Sequence, residues 1–210
     1  MFHVKHEPIQ SLPDFTPSPE VISRLKTFAA LLTIWNRRIN LVSRRNLENL
    51  WPRHIADSLQ LIPLMPENPS DAVDLGSGAG FPGLILSIAT SVPFSLIESD
   101  HRKAAFLIEA ARVTAAPIRV HATRIQETRL PQARLVTARA LAPLPDLLAL
   151  AAPFLTQDGI CLFPKGGSVG NELTEAAAQW HMRAERFQSR SDPSASLLRI
   201  SEIRRVRASP

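Results

Sequence analysis

A glycine-rich segment, Asp74-Leu-Gly-Ser-Gly-Ala-Gly-Phe-Pro-Gly83, constrains the fold of this chain more than any other feature of its sequence. It follows a short apolar run and precedes a stretch of helical character, so it predicts a turn between a strand and a helix. Glycine has no Cβ and adopts left-handed backbone conformations freely, so a ligand can approach the main chain closely at such a turn. We therefore expect a small-molecule site here.

Short β-rich runs alternate with helical stretches around this turn, which predicts a mostly parallel α/β sheet with helices on both faces. The predicted strands are 72–75, 94–98, 118–121, 135–138 and 160–163, and the predicted helices are 81–90, 101–113 and 144–155. The segment 182–207 alternates in a way that predicts a closing antiparallel hairpin. Ligands of such Rossmann-like sheets lie at the carboxyl ends of the strands, where Asp74, Glu98, Arg124 and Arg139 fall.

The amino-terminal third predicts a helical cap. Ser18, Pro19 and Glu20 are typical of a helix start, and apolar residues recur at helical spacing through 19–36. Two shorter helices are expected at 46–51 and 52–61, followed by a proline-rich linker at 63–69. We expect residues 1–18 to form a loosely held lead-in, residues 1–69 to form the cap, and residues 70–210 to form one compact catalytic domain.

Two carboxylates distinguish between the cofactors that the glycine turn could bind. The pattern Gly78-x-Gly80-x-x-Gly83, with Glu98 about 20 residues after Gly78, matches the dinucleotide fingerprint. Asp74 would repel the pyrophosphate of a dinucleotide, but it would attract the ammonium and sulfonium of S-adenosylmethionine (SAM). Glu98 can accept hydrogen bonds from both ribose hydroxyls of an adenosine. We favour SAM, with NAD or another nucleotide and a purely structural turn as the alternatives.

The composition of the chain limits the kind of protein it can be and the compartment in which it can work. The chain of 210 residues is 45% hydrophobic, enough for one domain with a substantial core. It has no apolar run long enough to span a bilayer, and its amino terminus lacks the layout of a signal peptide. Its one cysteine, Cys161, lies in an apolar strand-like run, which predicts burial and a reducing compartment. We expect a cytoplasmic protein that binds neither a membrane nor a metal.

Positive charge is concentrated at the two ends of the chain. Residues 1–58 contain eight basic and five acidic side chains, residues 59–181 nine and eleven, and residues 182–210 seven and three. Neutralisation of phosphates by Arg and Lys is the main source of nucleic-acid affinity, so this layout favours contact with RNA or DNA. Arg37, Arg38, Arg44 and Arg45 could form a phosphate-facing edge. The alternative is a merely solvated surface in a protein rich in arginine.

The chain lacks the motifs of two common nucleic-acid methylation chemistries. Exocyclic-amine enzymes carry Asp/Asn-Pro-Pro-Tyr/Phe after the fourth strand, where this chain has Thr137-Ala-Arg-Ala-Leu-Ala-Pro143. Enzymes that make 5-methylcytosine need an attacking cysteine, and Cys161 is badly placed for that. A purine N7 needs neither, because its lone pair is nucleophilic at neutral pH without a general base. Catalysis would then depend on cations that position the base, for which Arg139 and Lys165 are the candidates.

Five segments, taken in order, resemble the motifs of the small-subunit ribosomal RNA methyltransferase G family, also called glucose-inhibited division protein B. They are Asn36-Arg-Arg-Ile-Asn-Leu-Val42, Arg53-His-Ile-Ala-Asp-Ser-Leu59, Val73-Asp-Leu-Gly-Ser-Gly-Ala-Gly-Phe-Pro-Gly83, Thr137-Ala-Arg-Ala-Leu141 and Phe163-Pro-Lys-Gly166. The resemblance covers nearly the whole chain and implies a SAM-dependent methyltransferase fold. It also implies methyl transfer to N7 of one guanosine in the 530 loop of bacterial 16S rRNA.

The resemblance implies roles for individual residues as well. The positions that match SAM contacts of the family are Gly76, Phe81, Ile125, Gln126 and Arg139, and the positions that match its basic active-site residues are Arg124, Arg139 and Lys165. Asp74, Gly78, Gly80 and Glu98 complete the expected cofactor site. The alternative for Arg124 and Arg139 is a surface ion pair with a neighbour such as Glu127 or Asp146.

Other functions remain open at this point. A SAM enzyme with another RNA, a small molecule or a protein as its acceptor would share the fold and the glycine turn. A non-catalytic RNA-binding module would retain the basic ends, and an NAD oxidoreductase would use the same glycines. The expected partner is 16S rRNA or the small ribosomal subunit, and nothing in the sequence demands more than a monomer.

Overall fold

The structure, a computed structural model, describes residues 15–67 and 69–206. Its helices are α1 (Pro19–Trp35), α2 (Arg44–Glu48), α3 (Ala56–Leu59), α4 (Gly83–Thr90), α5 (His101–Thr114), α6 (Leu144–Ala151) and α7 (Val169–Ala177). Its strands are β1 (Ala72–Leu75), β2 (Phe94–Ile97), β3 (Ile118–His121), β4 (Ala133–Ala138), β5 (Leu155–Lys165), β6 (Trp180–Gln188) and β7 (Ser196–Arg205). Two predictions fall partly outside the described residues. These are the lead-in, whose first 14 residues include the amino terminus that was compared with a signal peptide, and the linker, which contains Asn68.

One seven-stranded sheet organises the molecule, with the strand order β3-β2-β1-β4-β5-β7-β6. The strands β1 to β5 pair in parallel, and β7 pairs antiparallel with both β5 and β6. The strand order reverses between β1 and β4, and ligands of doubly wound sheets bind at such a switch point. The predicted Rossmann-like α/β fold and its closing antiparallel hairpin are confirmed.

The cap helix α1 forms as its sequence predicts. Ser18 caps it, because its Oγ accepts a hydrogen bond from the Val21 amide at 3.3 Å, and Pro19 occupies the first turn. Leu25, Phe28 and Leu32 are fully buried in a core that α1 shares with α4 and α5. The cap therefore shares a hydrophobic core with the glycine-rich segment and the helices that follow it.

The rest of the cap differs from its predicted pair of short helices. The chain instead forms α2, a π-helical turn at Trp51–Ile55, α3 and a 3-10 turn at Ile62–Leu64. Pro52 sits in the first turn of the π-helical segment, where its missing amide proton removes no internal hydrogen bond. The π-helical turn places His54 and Ile55 in the interior.

Several other boundaries differ from those predicted, for local reasons. Helix α4 begins at Gly83 rather than at 81, because Gly80 donates its amide proton to the Ser77 carbonyl and closes a turn first. Helix α6 ends at 151 rather than 155, since Pro153 has no amide proton and the chain continues as the 3-10 turn Ala152–Phe154. Strand β5 is longer than the predicted 160–163 because β4 and β7 both pair along it.

Helix α7 was not predicted at all. Its sequence begins among glycines and serine, but Val169, Leu173 and Ala176 are buried at helical spacing in the core on the other face of the sheet. Cys161 is buried in β5 as expected, and burial raises the pKa of its thiol well above the ordinary value. Over residues 15–67 and 69–206, no helix combines the length and the apolar character that a membrane span requires.

Candidate active site

The glycine-rich turn follows β1 and has three left-handed residues. Gly76, Gly78 and Gly80 have φ angles of 63°, 55° and 93°. A Cβ on Gly76 would lie 2.8 Å from the Leu141 side chain, whereas a Cβ on Gly78 would find only the Gly76 carbonyl oxygen, at 3.8 Å. Gly76 therefore permits close packing, and Gly78 is the point where the main chain is open to a ligand.

Glu98, just after β2, holds this turn in place. Its Oε2 accepts a hydrogen bond from the Gly78 amide and its Oε1 accepts one from the Asp100 amide, both at 2.8 Å. Each carboxylate oxygen has a second lone pair for a further donor. This places a buried carboxylate beside the open position of the loop, which suits the predicted contact with a ribose.

Asp74 lies in β1 beneath the turn and is completely buried. Its Oδ1 accepts a hydrogen bond from the Thr137 hydroxyl at 2.6 Å, whereas its Oδ2 lacks a partner within the described part of the chain. Burial raises the pKa of this carboxyl to about 6, although the Thr137 hydrogen bond acts in the opposite direction. Negative charge beneath an open glycine turn suits a cationic ligand such as SAM.

Arg139, the residue after β4, is surrounded by groups from the cap. Its Nη1 donates to the Asp57 carboxylate at 3.2 Å and to the Arg53 carbonyl at 3.3 Å, and its Nη2 bonds to Nδ1 of His54. The guanidinium also lies 5.2 Å from the ring centre of Phe81, within range for a cation–π contact. Its ion-pair partner is thus Asp57, so the alternative of a surface pair with Glu127 or Asp146 is wrong for this residue.

His54 contacts both Arg139 and Phe81, and so connects the arginine to the glycine turn. Its ring stacks on Phe81 with the centres 4.8 Å apart, and its Nε2 is buried without a partner among the described residues. Burial first, and then the charges of Arg139 and Arg53, lower the pKa of His54 to about 4. Near pH 7 the imidazole ring is therefore neutral, and its Nδ1 can accept a hydrogen bond from Arg139.

Lys165, the last residue of β5, is also held by a carboxylate and a carbonyl, which come from α7 and from the segment after β4. Its Nζ forms an ion pair with Glu172 on α7 and donates to the Ala142 carbonyl at 3.1 Å. Glu172 also accepts hydrogen bonds from the Leu144 amide at 2.9 Å and the Ser168 hydroxyl at 2.8 Å. Burial raises the pKa of Glu172, but the hydrogen bonds from Lys165 and Ser168 outweigh it, so the net shift is downward.

Arg139 and Lys165 line a single cleft of about 420 Å³ at the carboxyl ends of β4 and β5. Their carboxylate partners Asp57 and Glu172 line it as well. Further lining residues come from the cap, from the ends of β4, β5 and β7, and from the connection between β6 and β7: Asn46, Arg53, His54, Ala140, Pro164, Gly166, Ser191, Asp192, Ala195, Ser196 and Leu197. The structure thus brings together two of the three predicted basic residues.

The third basic residue, Arg124, lies elsewhere. It is exposed after β3, ahead of the 3-10 turn Ile125–Glu127, and it does not line the cleft. Ile125 and Gln126 line a separate cavity beside Phe154. Their predicted contacts with SAM, and the predicted role of Arg124, therefore rest on the sequence motif alone.

The sequence reasoning assigned no role to Asp57, Glu172 or His54, which the structure places against the two cleft cations. His54 and Asp57 are three residues apart, so a helical turn places them on one side. The available signal was this spacing within a segment that resembles a motif of the family. Glu172 gave no such signal, because α7 itself was not predicted.

Comparison with known proteins decides the family. Residues 21–195 match a family model described as rRNA small subunit methyltransferase G. The chain belongs to this family. The methyltransferase G of Rhodospirillum centenum is 57% identical over 189 residues, which cover 90% of this chain and 88% of that protein. The methyltransferase G of Granulibacter bethesdensis is 49% identical over an alignment that covers 98% of this chain and all of that protein. The predicted family is confirmed.

Solved structures support the fold of this methyltransferase G family member. A TehB-like SAM-dependent methyltransferase from Corynebacterium glutamicum superposes with a TM-score of 0.57 at 18% identity, covering 84% of this chain and 99% of that one. At this identity the likeness concerns the fold alone, and the expected methyltransferase fold is confirmed. Within the described ranges no cluster of three or more His, Cys, Asp or Glu side chains could hold a metal ion.

Proposed function

We propose that this protein transfers the methyl group of SAM to N7 of one guanosine in the 530 loop of 16S rRNA. Membership of the methyltransferase G family supports an rRNA substrate. The observation that carries the chemistry is the cleft, in which Arg139 and Lys165 lie together at the strand ends next to the glycine turn. Two fixed cations suit an acceptor that needs positioning rather than deprotonation.

The proposed cofactor contacts follow the glycine turn. Gly78 offers an open main chain and Glu98 faces the same position, so these residues would hold the nucleoside part of SAM. Asp74 would supply negative charge below the turn, and Phe81 an apolar surface beside it. Bound SAM supplies an electrophilic methyl group on its sulfonium. Ile125 and Gln126 match positions of the family that contact SAM, and we propose that they contact its adenine ring.

The proposed acceptor contacts follow the cleft. A guanine has a carbonyl oxygen, O6, next to N7, and a cationic donor on O6 fixes the plane of the ring without occupying the N7 lone pair. Arg139 is placed for this contact, and Lys165 for a second contact with the base or its phosphate. No general base is required, which agrees with a cleft whose carboxylates are already engaged by cations.

The proposed partner is the small ribosomal subunit or its 16S rRNA, and the proposed setting is therefore the cytoplasm. We also propose a monomer as the active species, because nothing in the sequence demands a second copy of the chain. The exposed arginines of the cap, including Arg44 and Arg45, would contact phosphates around the target nucleotide.

The test is transfer of tritiated methyl groups from SAM to small subunits that lack the modification, with the product mapped by chain cleavage at 7-methylguanosine. The expected result is a single labelled guanosine in the 530 loop. Label elsewhere in the RNA, or only on a small-molecule acceptor, would overturn the proposed substrate and leave the methyltransferase fold intact.

A matched variant links the activity to the cleft. Arg139→Lys keeps a cation next to Asp57, so the fold is expected to survive, but it loses the planar set of donors that a guanidinium presents. We expect methyl transfer to fall sharply while the melting temperature stays close to that of the wild type. Full activity in this variant would contradict the role proposed for Arg139.

A further inference from the structure

We propose that Asp57 and Glu172 are positioning residues for the methyl transfer, each holding one of the two cleft cations in a fixed orientation. This inference rests on the proposed function, because it assumes that Arg139 and Lys165 contact the acceptor base. It goes beyond that function by assigning roles to two acids that act through the cations they hold.

The first pair joins the cap to the catalytic sheet. Asp57 Oδ2 and Arg139 Nη1 are 3.2 Å apart, and the two side chains are only 13% and 19% exposed. The other oxygen of Asp57 is fixed as well, since Oδ1 accepts hydrogen bonds from Gln60 at 2.7 Å and from the Ser191 hydroxyl at 2.6 Å. A carboxylate tied at both oxygens is a rigid anchor for the guanidinium.

The second pair joins β5 to α7. Lys165 and Glu172 are 10% and 15% exposed, and Glu172 is itself fixed by the Leu144 amide and the Ser168 hydroxyl. Lysine is a flexible side chain with a compact charge, so its position depends on its partners more than that of arginine does. Glu172 and the Ala142 carbonyl together restrict the Lys165 ammonium to one side of the cleft.

Both anchors leave donors for a substrate. Arg139 uses both protons of Nη1 and one of Nη2 on Asp57, Arg53 and His54, which leaves the Nε proton and one Nη2 proton. Lys165 uses two of its three protons, on Glu172 and Ala142, which leaves one. Each cation thus reaches the cleft already oriented, and pre-oriented donors lower the cost of reaching the transition state.

A third ion pair in the same protein provides a matched control. Glu185 on β6 pairs with Arg199 on β7 at 2.5 Å, and its side chain is 15% exposed, as that of Glu172 is. Neither Glu185 nor Arg199 lines the cleft. Glu185→Gln should therefore reproduce the loss of a partly buried ion pair without changing the orientation of a cleft cation.

The experiment compares Asp57→Asn, Glu172→Gln and Glu185→Gln in methyl transfer to small subunits, with melting temperatures and SAM affinities measured in parallel. We expect kcat to fall about 10- to 100-fold in the two cleft variants, because a displacement of about 1 Å can cost that much. The KM for the subunit should change little, since both cations are retained. Glu185→Gln should lower the melting temperature without lowering kcat.

The conservative variants Asp57→Glu and Glu172→Asp keep the fold testable if removal of a charge unfolds the protein. Each retains a carboxylate but displaces it by one methylene, so kcat should fall less than in the amide variants. Wild-type kcat in all four cleft variants, or losses that follow the melting temperature alone, would overturn the inference. Absence of transfer by the wild type would overturn the proposed function together with this inference, so the two failures are distinguishable.

Discussion

At the scale of one residue, Asp74 shows how a side chain that we propose for SAM binding can oppose stability. Within the described part of the chain one oxygen of this buried carboxylate has no hydrogen-bond partner, and burial raises its pKa from 3.8 to about 6. The folded state therefore holds a proton more tightly than the unfolded state does. The resulting penalty is complete above pH 6 and disappears as the pH falls from 6 towards 3.8.

Asp74→Asn is predicted to stabilise the protein and to weaken its affinity for SAM. The shift in pKa corresponds to about 3 kcal/mol as an upper limit, so unfolding in urea at pH 7 should show a gain of up to that size. The gain should shrink between pH 6 and pH 4. Calorimetric titration with SAM should show weaker binding, and unchanged affinity would remove Asp74 from the cofactor site.

The contribution of His54 to the stability of the fold depends on pH in the opposite way to that of Asp74. Its pKa falls from 6.5 to about 4 on folding, so it contributes no penalty above pH 6.5. As the pH falls from 6.5 to 4, the unfolded state gains a proton that the folded state resists, and the fold loses stability. The loss levels off below pH 4, where both states are protonated.

His54→Asn is predicted to reduce the acid sensitivity of the fold. Relative to the variant, the wild type should lose up to about 3 kcal/mol of unfolding free energy between pH 6.5 and 4. The contribution of Asp74 has the opposite sign, but it is present in both proteins and cancels in the difference. Parallel curves for the two proteins across this range would contradict the assignment of a neutral, buried His54.

At the scale of elements, the junction between the glycine turn and α4 is closely packed against β1. A Cβ on Gly83 would lie 2.5 Å from the Cβ of Asp74 and 2.8 Å from the Leu96 side chain. Gly83 therefore lets the helix start directly on the strand that carries the buried carboxylate. By contrast, a Cβ on Gly170 in α7 would have no neighbour within 4 Å.

Gly83→Ala is predicted to destabilise the fold by about 2–3 kcal/mol, because the strand and helix would have to separate. The matched control Gly170→Ala should stabilise it by about 0.5–1 kcal/mol, since alanine loses less entropy than glycine on entering a helix. Denaturant unfolding of both variants checks this. A Gly83→Ala protein as stable as the wild type would mean that α4 can move without cost.

At the scale of the whole molecule, the fold gives the two basic ends of the chain different positions. The cap arginines Arg44 and Arg45 are exposed next to Asn46, which lines the cleft. In the hairpin, Lys165 pairs with Ser196 and Cys161 with Ile200, so Arg204 and Arg205 lie towards the opposite end of the sheet. The sequence predicted a polyanion at both ends, but Arg44 and Arg45 lie beside the cleft, whereas Arg204 and Arg205 lie far from it.

Replacement of Arg44 and Arg45 by glutamine is predicted to weaken binding of the small subunit and to reduce its salt dependence. The slope of log affinity against log salt should fall by roughly two for two lost phosphate contacts. The same change at Arg204 and Arg205 is the control and should leave the slope unchanged. Equal effects from both pairs would indicate a binding surface that extends over the far end of the sheet.

The sequence by itself determined the local and periodic features of this protein. Strand β1, helix α1 with its Ser18 cap and the glycine-rich turn depend on neighbours close in the chain, so residue patterns were sufficient to predict them. The family was predictable for a similar reason, because its motifs are short segments in a fixed order. Arg139 and Lys165 were found through those motifs.

Tertiary structure alone decided what surrounds these residues. Asp57 meets Arg139 across 82 positions of the chain, and His54 meets the same guanidinium across 85. Helix α7 is helical because its apolar side chains find a core, and only then does Glu172 reach Lys165. Contacts between distant segments depend on how the sheet and the cap pack together. Local patterns contain little information about that packing, so the partners of the cleft cations emerged only from the folded molecule.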